Sequence, residues 1–187
     1  MNCPGCFLYA LPLANEIHKK YGERLNVLGL ATAFEDFEYN TEGNAALLIN
    51  SGTLVGETKR VLQENGFKKL PCPIDFPLAV DCLADSSSQF YSLEDAWQIC
   101  ESTPHFQGMN EVEQEQAISY ILGNLRGLDR SSYTFTVNLM SGTPSWVIFD
   151  GDMNILAHWF GHSDNHMVFK LLDKHLESLK HSAGAKR

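Results

Sequence analysis

Cys3-Pro4-Gly5-Cys6 places two thiols three positions apart, and Gly142-Thr143-Pro144 runs directly into an apolar stretch, Trp146-Val147-Ile148-Phe149. If the first segment opens a helix, both sulfurs fall on adjacent positions of one turn, within reach of forming and breaking a disulfide. The unpaired N–H groups and positive dipole end of such a helix stabilise a thiolate at its N-cap, and the thiolate is the reactive form. Cys3 is therefore the candidate nucleophile. Cys6, one turn in and less exposed, is suited to resolving a mixed disulfide. A Cys-x-x-Cys is also half of many zinc sites, or simply two inert buried thiols. The zinc reading lacks partners, since there is no second Cys-x-x-Cys and no His pair at finger spacing, although Cys72, Cys82 and Cys100 are distant candidate ligands. No metal is expected.

The elements that must position these residues follow from local patterning. Pro4 suits a first helical position, Leu8, Leu11, Ala14, Ile17 and Tyr21 recur at helical spacing, and Gly22 ends the run; Pro12 lies inside it and predicts a kink. Leu25–Ala31 reads as a buried parallel strand and Phe76–Asp81 as a second, with Pro77 near its start or on an edge. Thr41–Gly66 reads as two helices broken at Ser51-Gly52, with Asn65-Gly66 closing the second. Asp85–Ser88 reads as a loop. Ser92 is placed to cap a helix from Leu93 to Cys100, and Asn110 with Glu113 makes a capping-box start for a helix to about Arg126. Tyr133–Met140 alternates and predicts an extended segment. Trp146–Asp150 and Ile155–Phe160 predict a hairpin around Gly151-Asp152, and Ser163 or Asp164 caps a last helix to about Lys180. On that helix Met167, Leu171, Leu172, His175, Leu176 and Leu179 form a packing stripe, and the final residues should fray.

Composition limits the classes of function. The chain has 187 residues, enough for one domain with a full-sized core. Its net charge of −9, with Lys and Arg scattered, argues against nucleic acid or an anionic membrane as a partner. Five cysteines do not read as an extracellular disulfide framework, and no signal peptide or membrane span is visible, so the chain reads as cytoplasmic as written. Of the five, Cys72, Cys82 and Cys100 read as buried reduced thiols, with a second redox pair from Cys72 and Cys82 as the less favoured alternative. His158, His162 and His166 step by four, but the first falls in a predicted strand and Gly161 interrupts the run, so solvated or capping histidines are favoured over a metal face.

Taken in order, these motifs resemble the thioredoxin-like superfamily, specifically its TlpA-like and peroxiredoxin-like redoxin branch. Three matches carry the resemblance: the Cys3-Pro4-Gly5-Cys6 helix with its kink, the strand pair Val27–Leu30 and Phe76–Asp81, and Gly142-Thr143-Pro144 followed by a hairpin through Asp150-Gly151. It implies an α/β fold with a central mixed sheet flanked by helices, one domain over residues 1–187, and a helical insertion at 82–132. It implies a cis bond at Pro144, where Thr143, Pro144, Pro4 and Gly5 would bind an extended substrate beside Cys3. Related folds keep an acid close by, which makes Glu35, with Asp36, a candidate proton acceptor for Cys6; a solvated loop acid is the favoured alternative.

One departure stands out. The family has a central strand immediately before its Cys-x-x-Cys, whereas only Met1 and Asn2 precede Cys3 here. Loss of that strand leaves two buried edges unpaired. The expectation is that the start is internal to a longer reading frame, a targeting segment included, or that another segment or a partner chain, a second copy among them, fills the gap. The reading that follows is a thiol-disulfide oxidoreductase acting on protein or small-molecule disulfides and dithiols, without metal or organic cofactor. The alternatives are a thiol peroxidase, which should need an arginine near the thiolate where only distant Arg24 is in sequence reach, and a non-catalytic binding module built on the same fold.

Overall fold

The computed structural model describes residues 2–85 and 90–184. It is a mixed α/β chain, 51 % helical, in which the strands are few and short. The first helix is continuous from Pro4 to Tyr21 but changes pitch on the way. Cys6–Ala10 forms a π-helical turn in which the Leu11 N–H reaches back to the Cys6 carbonyl, and α1 (Leu11–Tyr21) follows. Pro12 explains the change: it has no N–H for the Leu8 carbonyl and its ring crowds the preceding turn, so the chain widens where the sequence predicts a kink. Gly22, at φ +53, ends the helix.

β1 (Gly29–Ala31) is parallel to β2 (Leu78–Val80), in register Gly29 to Leu78 and Ala31 to Val80. Between them lie α2 (Glu42–Ser51), capped by the Thr41 side chain, and α3 (Gly56–Glu64), separated at Gly52 in the left-handed region. Both strands are shorter than the apolar runs that announce them. Beyond Val80, β3 (Leu83–Asp85) leads into α4 (Leu93–Glu101), α5 (Glu111–Arg126) and β4 (Arg130–Ser132), which returns antiparallel to β3. The 82–132 segment is thus not wholly helical, because a short ladder closes its base. The expected loop at Ser86–Ser88 lies outside the described residues, and Asp85 belongs to β3. Ser92 and Asn110 each complete a capping box, with Asp95 and Glu113.

Tyr133–Val137 is a helix, α6, not the extended segment its alternation predicts. The buried Asp81 carboxylate is the reason: it accepts from the N–H groups of Thr134 and Phe135 at 3.1 and 3.3 Å, holding the first turn of the helix. A partner 53 positions away in sequence has overridden the local pattern. β5 (Ser145–Phe149) and β6 (Ile155–Phe160) form the expected hairpin, on which Trp146 and Trp159 stack with ring centres 5.6 Å apart. α7 (Asn165–Gly184) is capped by Asp164, whose carboxylate accepts from the His166 N–H, and it extends past the predicted end.

The expected central sheet is not continuous. Each strand has one partner, and the described residues form three two-stranded ladders; β1 and β5 are not hydrogen-bonded to each other. The segment leading into β1 and the strand β5 nevertheless lean on the same helix. Leu13, Ile17 and Tyr21 of α1 pack with Val168 and Leu172 of α7 against Val27, Trp146 and Ile148. Val168, rather than the predicted and largely exposed Met167, leads the buried face of α7. A second cluster, Phe7, Leu48, Leu54 and Leu62, joins the start of the first helix to α2 and α3. The third and largest lies within 84–137 around Phe106, Tyr91, Ala96, Ile118 and Leu122.

Candidate active site

Cys3 and Cys6 open the first helix, where the Cys6 N–H donates to the Cys3 carbonyl at 3.0 Å. Residue 143, almost the whole chain away, meets them: the Cys3 thiol donates to the Thr143 carbonyl at 3.4 Å, and the Thr143–Pro144 bond is cis. Cys3, Pro4, Gly5, Thr143 and Pro144 are all partly exposed, so the meeting point faces solvent. Gly142 permits the approach, since a Cβ there would sit 2.5 Å from the Phe160 ring. Ser145 holds the loop by donating its hydroxyl to the Gly142 carbonyl at 2.7 Å.

The two sulfurs have opposite electrostatic roles. The Cys6 thiol donates to the Cys3 sulfur and lowers its pKa to about 5, against an opposing contribution from burial. The Thr143 side chain and the backbone N–H groups of Cys6 and Gly5 lower it further. The helix start therefore contributes as the sequence suggests, but the neighbouring thiol contributes most. Donating that hydrogen bond, burial and the charge on Cys3 all push Cys6 far above the ordinary thiol range. Cys6 is also held against the Phe7, Leu48, Leu54 and Leu62 cluster. One proton on Cys6 thus serves a thiolate on Cys3. A protonated Cys3 can donate to the Thr143 carbonyl; the ionised sulfur cannot, and it exchanges that bond for the one from Cys6.

Other candidates fall away from this point. Glu35 is exposed and its carbonyl accepts from Asn40, and among the described residues no hydrogen bond joins it to Cys6. Its neighbour Asp36 is the acid that reaches the site, through Asn2. All five cysteines are free thiols, but only Cys100 is buried as expected; Cys82 is exposed, and Cys72 is half-buried at 3.8 Å from the Asn15 amide. Among the described residues no group of three or more His, Cys, Asp or Glu is arranged to hold a metal ion. Nor is any described helix long and apolar enough to cross a membrane.

Sequence reasoning missed several neighbours. His162 lies against Gly5, within 3.3 Å of where a Cβ would stand, and its ring meets Tyr9 edge-on with centres 4.4 Å apart. Tyr9 is 59 % exposed on the π turn. Asn2, directly before Cys3, makes three hydrogen bonds. None of these contacts is between residues close in sequence, and no periodicity could announce them. No family model, curated protein or solved structure matches the chain significantly.

Proposed function

We propose that this chain is a thiol-disulfide oxidoreductase of thioredoxin-like architecture. The observation that carries the reading is the convergence of the Cys3 sulfur, the Cys6 thiol and the Thr143 carbonyl, and the lowering of the Cys3 pKa to about 5 supports it. The parallel β1–β2 pair, the β5–β6 hairpin and the helix bearing both cysteines support the architecture.

In the reductive direction, the Cys3 thiolate attacks one sulfur of a substrate disulfide, forming a Cys3–substrate bond as the substrate S–S bond breaks and the first substrate thiolate leaves. Cys6 then gives its proton to that thiolate or to solvent. Its sulfur attacks Cys3, closing a Cys3–Cys6 disulfide and releasing the second substrate thiolate. Two electrons pass from the protein dithiol to the substrate, which leaves as a dithiol or as two thiols. The high proton affinity of Cys6 gives the sequence its order, because Cys6 becomes a good nucleophile only once the negative charge on Cys3 has gone into a bond. An extended substrate backbone can lie along the partly exposed Thr143-Pro144 segment beside Cys3. Stabilising the Cys3 thiolate favours the dithiol form, which moves the potential in the oxidising direction.

The peroxidase alternative gains no support, since Arg24 stacks over Tyr21 at the opposite end of α1. A glutathione titration with alkylation and peptide mass mapping tests the reading. A reversible Cys3–Cys6 couple is expected. No couple, or pairing only among Cys72, Cys82 and Cys100, removes it and leaves the binding module, which Cys3→Ser and Cys6→Ser variants with unimpaired partner binding would favour.

A further inference from the structure

Asn2 precedes the nucleophile and touches two elements that are otherwise remote from it. Its amide nitrogen donates to the Asp36 carboxylate at 2.7 Å, while its side-chain oxygen accepts from the Glu57 N–H in the first turn of α3. A carboxylate can only accept and a backbone N–H can only donate, so these two partners fix which way the amide is turned. The Asn2 backbone N–H completes the set, donating to the Asn40 side chain at 3.3 Å. Both partners are themselves built to receive it. Asn40 folds the 35–40 loop by donating to the Glu35 and Asp36 carbonyls, with Asp36 in the left-handed region at φ +52. Gly56, at φ +51, leaves no room for a side chain, because a Cβ there would overlap the Asn2 side-chain oxygen.

We propose that Asn2 is a positioning residue for Cys3. It clamps the backbone entering the Cys3 turn between the 35–40 loop and α3, and this keeps the Cys3 sulfur between the Cys6 thiol and the Thr143 carbonyl. The proposal rests on the oxidoreductase reading of that site. The cost of the arrangement is visible at Asp36, a non-glycine residue at positive φ that accepts from Asn2.

The test is the pH dependence of Cys3 alkylation, followed by mass mapping, in wild type, Asn2→Ala, Gly56→Ala and the double variant. Among the described residues, the titratable groups around Cys3 and its clamp include Cys6 on its own turn, Asp36 on the loop, Tyr39 beside Gly56, His162 beside Gly5, and Glu57 on α3, whose carboxylate is taken up by Arg60. Loss of the clamp lets the sulfur leave its donor, and the alkylation midpoint is expected to rise by about one pH unit or more in each variant. The double variant should be no further shifted than Asn2→Ala, since both changes break one contact. A midpoint unchanged in Asn2→Ala, or a variant that no longer folds by circular dichroism, overturns the proposal and makes Asn2 inert or merely structural. Failure of the parent reading looks different: the wild-type protein itself would form no reversible Cys3–Cys6 couple.

Discussion

In residues 83–137, both long helices begin with a complete capping box, the buried hydroxyls of Tyr91 and Ser131 bond each other at 2.6 Å, and ten buried side chains form one cluster. Around Cys3 the helix passes at once into a π-helical turn, and three nearby residues, Asp36, Gly56 and Gly161, have positive φ. In the first region α4 and α5 follow their local preferences, although α6 is imposed from a distance by Asp81; the second departs from several and is held by contacts up to 140 positions apart in sequence. The difference teaches where stability and chemistry reside in this molecule. A segment whose local and tertiary signals agree can supply stability. Departures from those signals gather where two thiols must be aimed at a distant carbonyl.

The sharpest way to break this comparison is Cys6→Ala. Removing the donor should raise the alkylation midpoint of Cys3 from about 5 toward its ordinary value of 9.0, with little change in thermal stability at low pH. The sign of the linked stability effect follows from the same shift. Because folding depresses the Cys3 pKa, the reduced protein gains stability as pH rises from about 5 to 9, where the unfolded chain binds more protons, and loses it as pH falls back through 5. Denaturant melts of the reduced protein across that range should show this slope in wild type and a much flatter one in Cys6→Ala. A midpoint that stays near 5 without Cys6 would return the credit to the helix terminus.

Phe106→Ala probes the other region. Phe106 is 1 % exposed at the centre of the largest cluster, and its truncation should cost about 3–5 kcal/mol in urea melts. The Cys3 midpoint should not move; if it does, the two regions are coupled more tightly than the comparison allows. The smallest effect belongs to Asn110→Ala, which removes one half of the α5 capping box and should cost about 1 kcal/mol with the redox couple untouched.

Much of the fold was legible because its signals are short-range. Thr41, Ser92, Asn110 and Asp164 sit at the helix starts their chemistry suggests, and the hairpin falls around Gly151-Asp152. Tyr133–Val137 was misread because alternation carries no record of Asp81, and Met167 because a helical stripe does not say which flank meets the core. Legibility of the site divides the same way. The cysteine pair and Thr143-Pro144 announce themselves by residue type, and their meeting at 3.4 Å agrees with the order of motifs along the chain. Glu35 is exposed, as the favoured solvated-acid reading has it, while Asp36, named with it, accepts from Asn2; in a loop the side that a carboxylate faces has no period to announce it. Tyr9, His162 and Asn2 lay beyond reach because each gains its importance only from a partner folded in from elsewhere.

The stacked indoles of Trp146 and Trp159 lie on the hairpin whose first strand continues directly from Pro144, whereas the third tryptophan, Trp97, belongs to α4 and meets Phe106 edge-on. The molecule therefore carries a separate optical label in each of the regions compared above. Two indoles 5.6 Å apart and nearly parallel couple their electronic transitions, which gives the hairpin a circular-dichroism signature that an isolated Trp97 cannot produce. Loss of that couplet during unfolding marks the moment when the hairpin beside the cysteines comes apart, while Trp97 emission marks the collapse of the helical region, all without adding a probe.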